Sequence, residues 1–169
     1  MKIFIKVIIL ILGVSFIITG CSRNEIKDEP KFGLKFNVSN LTEEEYKLVG
    51  TKELKNPKKD DFKNIEFTLD VEHSNKISNR NISVPSIKEV IQKQYKDRYW
   101  FGKGDSEDNK EANFASYGEK IVFYSKGLKE EEIKEIFKSS EVKISWSTDN
   151  EKSKEKIFNL GDIIEFEQL

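Results

Sequence analysis

Asn64-Ile65-Glu66-Phe67-Thr68-Leu69-Asp70-Val71-Glu72-His73 decides the fold. Ile65, Phe67, Leu69 and Val71 alternate with Glu66, Thr68, Asp70 and Glu72. Successive side chains of a strand point to opposite faces, so a period of two predicts one dry face and one wet face. Antiparallel sheets carry such strands, and the dry face has to be buried against a second layer.

The same reading extends upstream and downstream. Phe32, Leu34, Phe36 and Val38 alternate in a second strand. Leu41-Thr42-Glu43-Glu44-Glu45-Tyr46 then carries a capping box (Thr42, Glu45) inside a hydrophobic staple (Leu41, Tyr46), which predicts a turn or two of helix. Residues 46–54 are open to a strand as the alternative. Residues 81–84 read as a short strand closed by Pro85. Residues 86–95 read as a helix, with a capping box at Ser86 and Glu89 and Ile87, Val90, Ile91 and Tyr95 on one face.

Arg98 to Phe101 is aromatic and strand-like, ended by Gly102, and residues 103–111 read as a long polar loop. Ile121-Val122-Phe123-Tyr124 is a continuous apolar run, which predicts burial on both faces. Residues 129–138 form a helix with an acidic first turn that complements the helix dipole. Val142, Ile144 and Trp146 alternate, and two last strands flank Gly161-Asp162. The expected fold is mainly β: a two-sheet antiparallel sandwich, immunoglobulin-like in broad plan, with two or three short helices. An α+β roll, with one sheet and helices on a single face, is the alternative.

The N-terminus is of another kind. Lys2 and Lys6 precede Val7 to Gly20, 14 mostly apolar residues, and Ile18-Thr19-Gly20-Cys21 closes the run. This is the three-part plan of a secretory signal. A transmembrane anchor needs roughly 20 apolar residues, which the run does not reach. The last four residues resemble a bacterial lipobox. That resemblance implies cleavage before Cys21, diacylation of its sulfur, and a protein held by lipid on the extracytoplasmic face of a cell membrane. The expected division is residues 1–20 as signal peptide, 21–31 as lipidated tether and 32–169 as one β-rich domain.

Further likeness lies in Arg98-Tyr99-Trp100-Phe101-Gly102, Phe123-Tyr124-Ser125-Lys126-Gly127-Leu128 and Val142-Lys143-Ile144-Ser145-Trp146. Together these resemble small uncharacterised lipoproteins of Bacillus-like Gram-positive bacteria. That group implies no activity and no site.

Charge and composition narrow the function. Residues 1–20 carry two of the 29 basic residues and no acid, so 27 basic face 30 acidic residues beyond the signal, a net charge of −3. Nucleic-acid binders show a basic excess, and none is expected here. Cys21 is the only cysteine, so the chain forms no internal disulfide and no thiolate zinc site. The only histidine, His73, has no convergent ligands in the sequence and reads as an edge or loop residue. Asp105, Glu107 and Asn109 have the spacing that opens a calcium loop. Lys110 and Ser116 stand where an EF-hand needs Gly and Glu, which leaves only a non-standard loop. No metal and no cofactor is expected.

No G-x-S-x-G elbow or phosphate-binding glycine loop is present, and no catalytic residues are assigned. The aromatic cluster Tyr95, Tyr99 and Trp100 is the candidate ligand-binding surface, set against the reading that it belongs to the core. The expectation is a non-enzymatic binding or interaction module whose partner is an envelope protein, a peptide or a glycan. A transporter's solute-binding lipoprotein is the alternative, and 149 residues are few for a two-lobed receptor. An envelope enzyme is a further one.

Overall fold

The computed structural model describes residues 29–149 and 153–167. The expected signal peptide, Cys21 and most of the expected tether lie outside the described residues. The larger sheet contains β1 (Lys31–Asn40), β2 (Phe62–Glu72), β4 (Tyr99–Asn109), β5 (Phe114–Tyr124) and β8 (Glu165–Glu167), in the order β4-β5-β2-β1-β8. The smaller contains β3 (Ile77–Ser83), β6 (Glu141–Thr148) and β7 (Ser153–Asn159), in the order β3-β6-β7. The four described helices are α1 (Glu43–Lys47), α2 (Ile87–Gln94), α3 (Glu130–Phe137) and α4 (Leu160–Ile163). The mainly β two-sheet sandwich expected from the sequence is what forms. The α+β roll is not, because there are two sheets.

All pairings but one are antiparallel; β8 runs parallel to β1, with Val38 opposite Phe166. The cause is α4. The expected Gly161-Asp162 turn is a helical turn capped by Asn159, whose side chain accepts from Gly161 N at 2.9 Å. It carries the chain from the small sheet to the edge of the large one, where no hairpin reversal is available.

In β2 the odd residues Ile65, Phe67, Leu69 and Val71 are buried, and Glu66, Asp70 and Glu72 are exposed, as the alternation requires. The dry face meets the small sheet through Phe32 of β1, whose ring lies 6.0 Å from Trp146 and 5.7 Å from Phe158. Phe36 stands edge-on to Phe137 of α3 at 4.9 Å. Helices α2 and α3 add Ile87, Ile91, Ile133 and Ile136 to this core.

A second, smaller core explains the apolar run 121–123. Phe62 and Val122 lie on the outer face of the large sheet, yet both are buried. Residues 41–58 fold back over that end, where Leu41, Val49 and Phe62 pack with Tyr46 and Trp100. Residues 46–54 form no strand; α1 ends at Lys47 and turns follow. The Thr42 capping box forms as expected, with Glu45 N to Thr42 Oγ1 at 3.1 Å and Thr42 N to Glu45 Oε2 at 2.9 Å. The Thr42 amide holds the Glu45 carboxyl below the ordinary glutamate range; burial opposes this and the Lys120 ammonium assists it. A folded value below the unfolded one means the stabilisation is complete above the unfolded pKa. It is lost as pH falls through the folded value.

One expected element is corrected. Residues 103–109 are not a loop; they continue β4 as a regular edge strand paired to β5, from Phe101 opposite Val122 to Asn109 opposite Phe114. Their side chains are all exposed, so no apolar alternation marks the strand. The close approach of β5 is what requires glycine at 102. A Cβ there would lie 2.7 Å from the Lys120 carbonyl oxygen and closer still to the Ile121 side chain. Gly102→Ala is therefore expected to destabilise the domain by about 1–3 kcal/mol, as overpacking does, measured as a lower urea midpoint with unchanged slope.

Candidate functional site

The sandwich is open along one side. Between edge strands β3 and β4 lies a cleft of about 760 Å3, lined by Gly104, Ser106, Tyr117 and Glu119 on one wall and by residues 81–86 on the other. Its origin is local. The core-facing residues of β4 are Gly102, Gly104, Ser106 and Asp108, opposite Ile121, Glu119, Tyr117 and Ala115 of β5. Gly104 and Ser106 bring little side chain to this wall, whereas Gly102 lies outside the cleft and is closed against Ile121. The volume falls in the range of small-ligand sites.

The cleft is held open from both ends. At one end Glu119 reaches from β5 to the start of α2, where its two oxygens accept from Ile87 N and Lys88 N, each at 3.1 Å. These are unpaired amides of a helix N-terminus, where a carboxylate is favoured. Ser86 supplies its half of the expected capping box, accepting from Glu89 N at 3.3 Å, and the reciprocal bond from Ser86 N to the Glu89 carboxylate does not form.

At the other end Arg80 of β3 pairs with Asp108 of β4 and donates from Nη2 to the Phe114 carbonyl at 3.0 Å. The side chain of Arg80 is only 3% exposed. A register shift between Ser78 and Asn81 turns it inward, as bulges re-aim side chains. Its Nε and Nη1 have no hydrogen-bond partner among the described residues. Burial pushes the Tyr117 hydroxyl above its ordinary pKa; the Asp108 carboxylate adds to this and Arg80 opposes it. Tyr117 is thus a neutral hydrogen-bonding group at physiological pH, in a cleft that also holds serine hydroxyls, the Asn81 amide and the acids Asp105 and Glu119.

The aromatic residues singled out in the sequence are divided. Tyr95 and Tyr99 pack against the main core, with the Arg98 guanidinium 5.3 Å from the Tyr95 ring and Lys88 Nζ 5.1 Å from the Tyr99 ring. Trp100 joins the second core on the opposite side of the sheet, 5.6 Å from Phe62 and 6.1 Å from Tyr124. The register irregularity between Tyr99 and Phe101 lies between them. The three rings form no single stacking platform.

Asp105, Glu107 and Asn109 lie along an extended strand, which spaces alternate residues by roughly 7 Å and does not wrap them around an ion. Among the described residues no three of His, Cys, Asp and Glu are grouped to hold a metal. His73 follows β2, with its Nδ1 2.9 Å from the Ser74 carbonyl oxygen. Tyr117, Glu119, Arg80 and Asp108 were not singled out from the sequence. The signal that marks their site is the alternation of Gly102, Gly104 and Ser106 with Lys103, Asp105 and Glu107. That is a strand pattern with small residues in place of apolar ones.

No helix among the described residues is long and apolar enough to cross a membrane. No family model matches the chain, and no curated protein or solved structure gives a match.

Proposed function

We propose that the protein is a binding module, held on the extracytoplasmic face of a cell membrane by lipid on Cys21, that takes a peptide or glycan into the cleft between its sheets. The cleft carries the reading. Its polar groups include hydroxyls, the Asn81 amide and the Asp105 carboxylate, of the kind that orient a ligand, and its ends are fixed by Glu119 and by the Arg80–Asp108 pair. The carboxylate on its inner wall is occupied with helix amides, which suits a structural role better than proton transfer. The address comes from Ile18-Thr19-Gly20-Cys21. Anchoring in the plane of a membrane raises the effective concentration for a neighbouring envelope partner.

Ser106 is exposed at the cleft and makes no core contact. A photo-crosslinking residue placed there in living cells is expected to capture the ligand. The same residue at Lys47, on the far side of the large sheet, is not. Ser106→Trp fills the cleft and is expected to lower capture at least tenfold from a second reporter at Ser83, with an unchanged melting temperature. Equal capture from Lys47, or full capture with the cleft filled, removes the cleft from the proposal.

A further inference from the structure

We propose that the outer edge of β4 accepts an extended peptide segment of a neighbouring protein as a sixth strand of the large sheet, and that this segment carries one apolar residue and two basic ones, set opposite Phe101, Asp105 and Glu107. The proposal rests on the binding-module reading and names a class of partner for it.

The sandwich has four sheet edges, and three are blunted in ways natural proteins use against strand addition. Strand β8 is three residues long. Strand β3 is bulged between Ser78 and Asn81 and carries Asn79 at φ 51°. Strand β7 is seven residues long and bears Lys154 and Lys156. Strand β4 differs. It spans 11 residues, its register to β5 is unbroken from Phe101 to Asn109, and all nine of those residues are exposed. No strand lies on its outer side among the described residues.

Two features specify what would pair there. At the Phe101 end, on the outer face of the large sheet, lies a mostly apolar depression of about 240 Å3, lined by Leu48, Phe101, Ile121 and Val122 and by Lys103 and Lys120. Leu48 is 78% exposed and Phe101 41%, two of the three large apolar side chains left exposed in the described residues. An added strand running past Phe101 would place a side chain against the exposed Phe101 ring, at the border of this depression.

Further along, Asp105 and Glu107 project from the same face as Phe101, four and six residues on. Asp108 points the other way and is neutralised by Arg80. Directly opposed unlike charges stabilise strand pairs and like charges oppose them. The matching segment therefore has an apolar residue and, four and six positions away, lysine or arginine. A second copy of the chain fits less well, since the antiparallel register that sets Lys103 of each copy opposite Asp105 of the other also sets Phe101 opposite Glu107. Strand addition of this kind draws affinity from main-chain hydrogen bonds and specificity from alternate side chains.

The test uses the full-length lipidated protein in detergent micelles and a synthetic ten-residue peptide. The peptide has leucine at one position and threonine or valine elsewhere, and is made in two orders, with lysine four and six positions after the leucine for parallel pairing or before it for antiparallel pairing. Expected are binding and slowed amide exchange across residues 101–109. Methylation of alternate peptide nitrogens, which removes donors and keeps charge, is expected to weaken binding at least tenfold. Glu107→Lys and Phe101→Glu are each expected to weaken it at least tenfold with unchanged circular dichroism, and Glu107→Lys should shift preference toward a glutamate version of the peptide.

Equal binding of the methylated peptide would mean simple charge attraction and would overturn the proposal. So would protection of residues 101–109 without peptide in a sedimenting dimer, which identifies a second copy as the occupant. Protection confined to residues 81–86 would overturn the β4 proposal while leaving the cleft reading in force. Loss of cleft capture with β4 protection intact separates the two in the other direction.

Discussion

Cys21→Ala is expected to abolish incorporation of labelled palmitate and to release the protein from the membrane fraction. The expectation follows from Ile18-Thr19-Gly20-Cys21 and from the 14-residue apolar run before it. Each buried methylene contributes about 0.8 kcal/mol, and one acyl chain gives only marginal, reversible attachment whereas two anchor stably. The proposed diacylation would thus be enough to hold the domain, since residues 21–169, with a net charge of −3, offer no attraction to anionic headgroups. Loss of the sulfur removes both chains at once, so the effect is all or none. Retention of the variant in membranes at wild-type levels would overturn lipid anchoring and make residues 3–20 a transmembrane segment.

Phe36→Ala is expected to lower stability by about 3–5 kcal/mol, the range for truncating a buried aromatic. Phe36 is 1% exposed. Its ring lies 6.1 Å from Phe67 and 4.9 Å from Phe137, both edge-on, so it joins β1 to β2 and to α3. Little beside it is free to collapse into the space, because Phe67 is held by the β2 ladder and Phe137 by the last turn of a helix. With single-domain stabilities commonly of 5–15 kcal/mol, such a loss takes much of the total. It is measured by urea unfolding. Phe101→Ala, at an exposed position of β4, is the control and is expected to cost under 1 kcal/mol. Similar costs for the two would mean that Phe36 is not a core contact.

These two sites differ in how plainly the sequence marks them. Cys21 is marked by its neighbours in the chain. Phe36 is marked by period, through Phe32, Leu34, Phe36 and Val38. The strands with apolar alternation (β1, β2, β6) and the helices with capping boxes or acidic first turns (α1, α2, α3) are legible because their signals are local. Strand β4 beyond Gly102 is not. An edge strand that is wet on its outward face and lines a cleft on the other carries no apolar period, and its ladder to β5 is a long-range property. The cleft was missed for the same reason. Ser106 and Tyr117 face each other only through the β4–β5 register, and Glu119 becomes a helix cap only once α2 lies across its strand.

The sequence by itself determined a mainly β two-sheet domain, because side-chain period and turn chemistry act between near neighbours. It also supplies the motif from which lipid attachment at Cys21 is proposed. Tertiary structure alone decided that Tyr95, Tyr99 and Trp100 part company, that Arg80 and Asp108 close one end of a cleft, and that β8 runs parallel to β1. Each of these depends on which strand lies beside which. That choice is fixed by burying the faces of both sheets and four helices at once, a condition no single stretch of the chain contains.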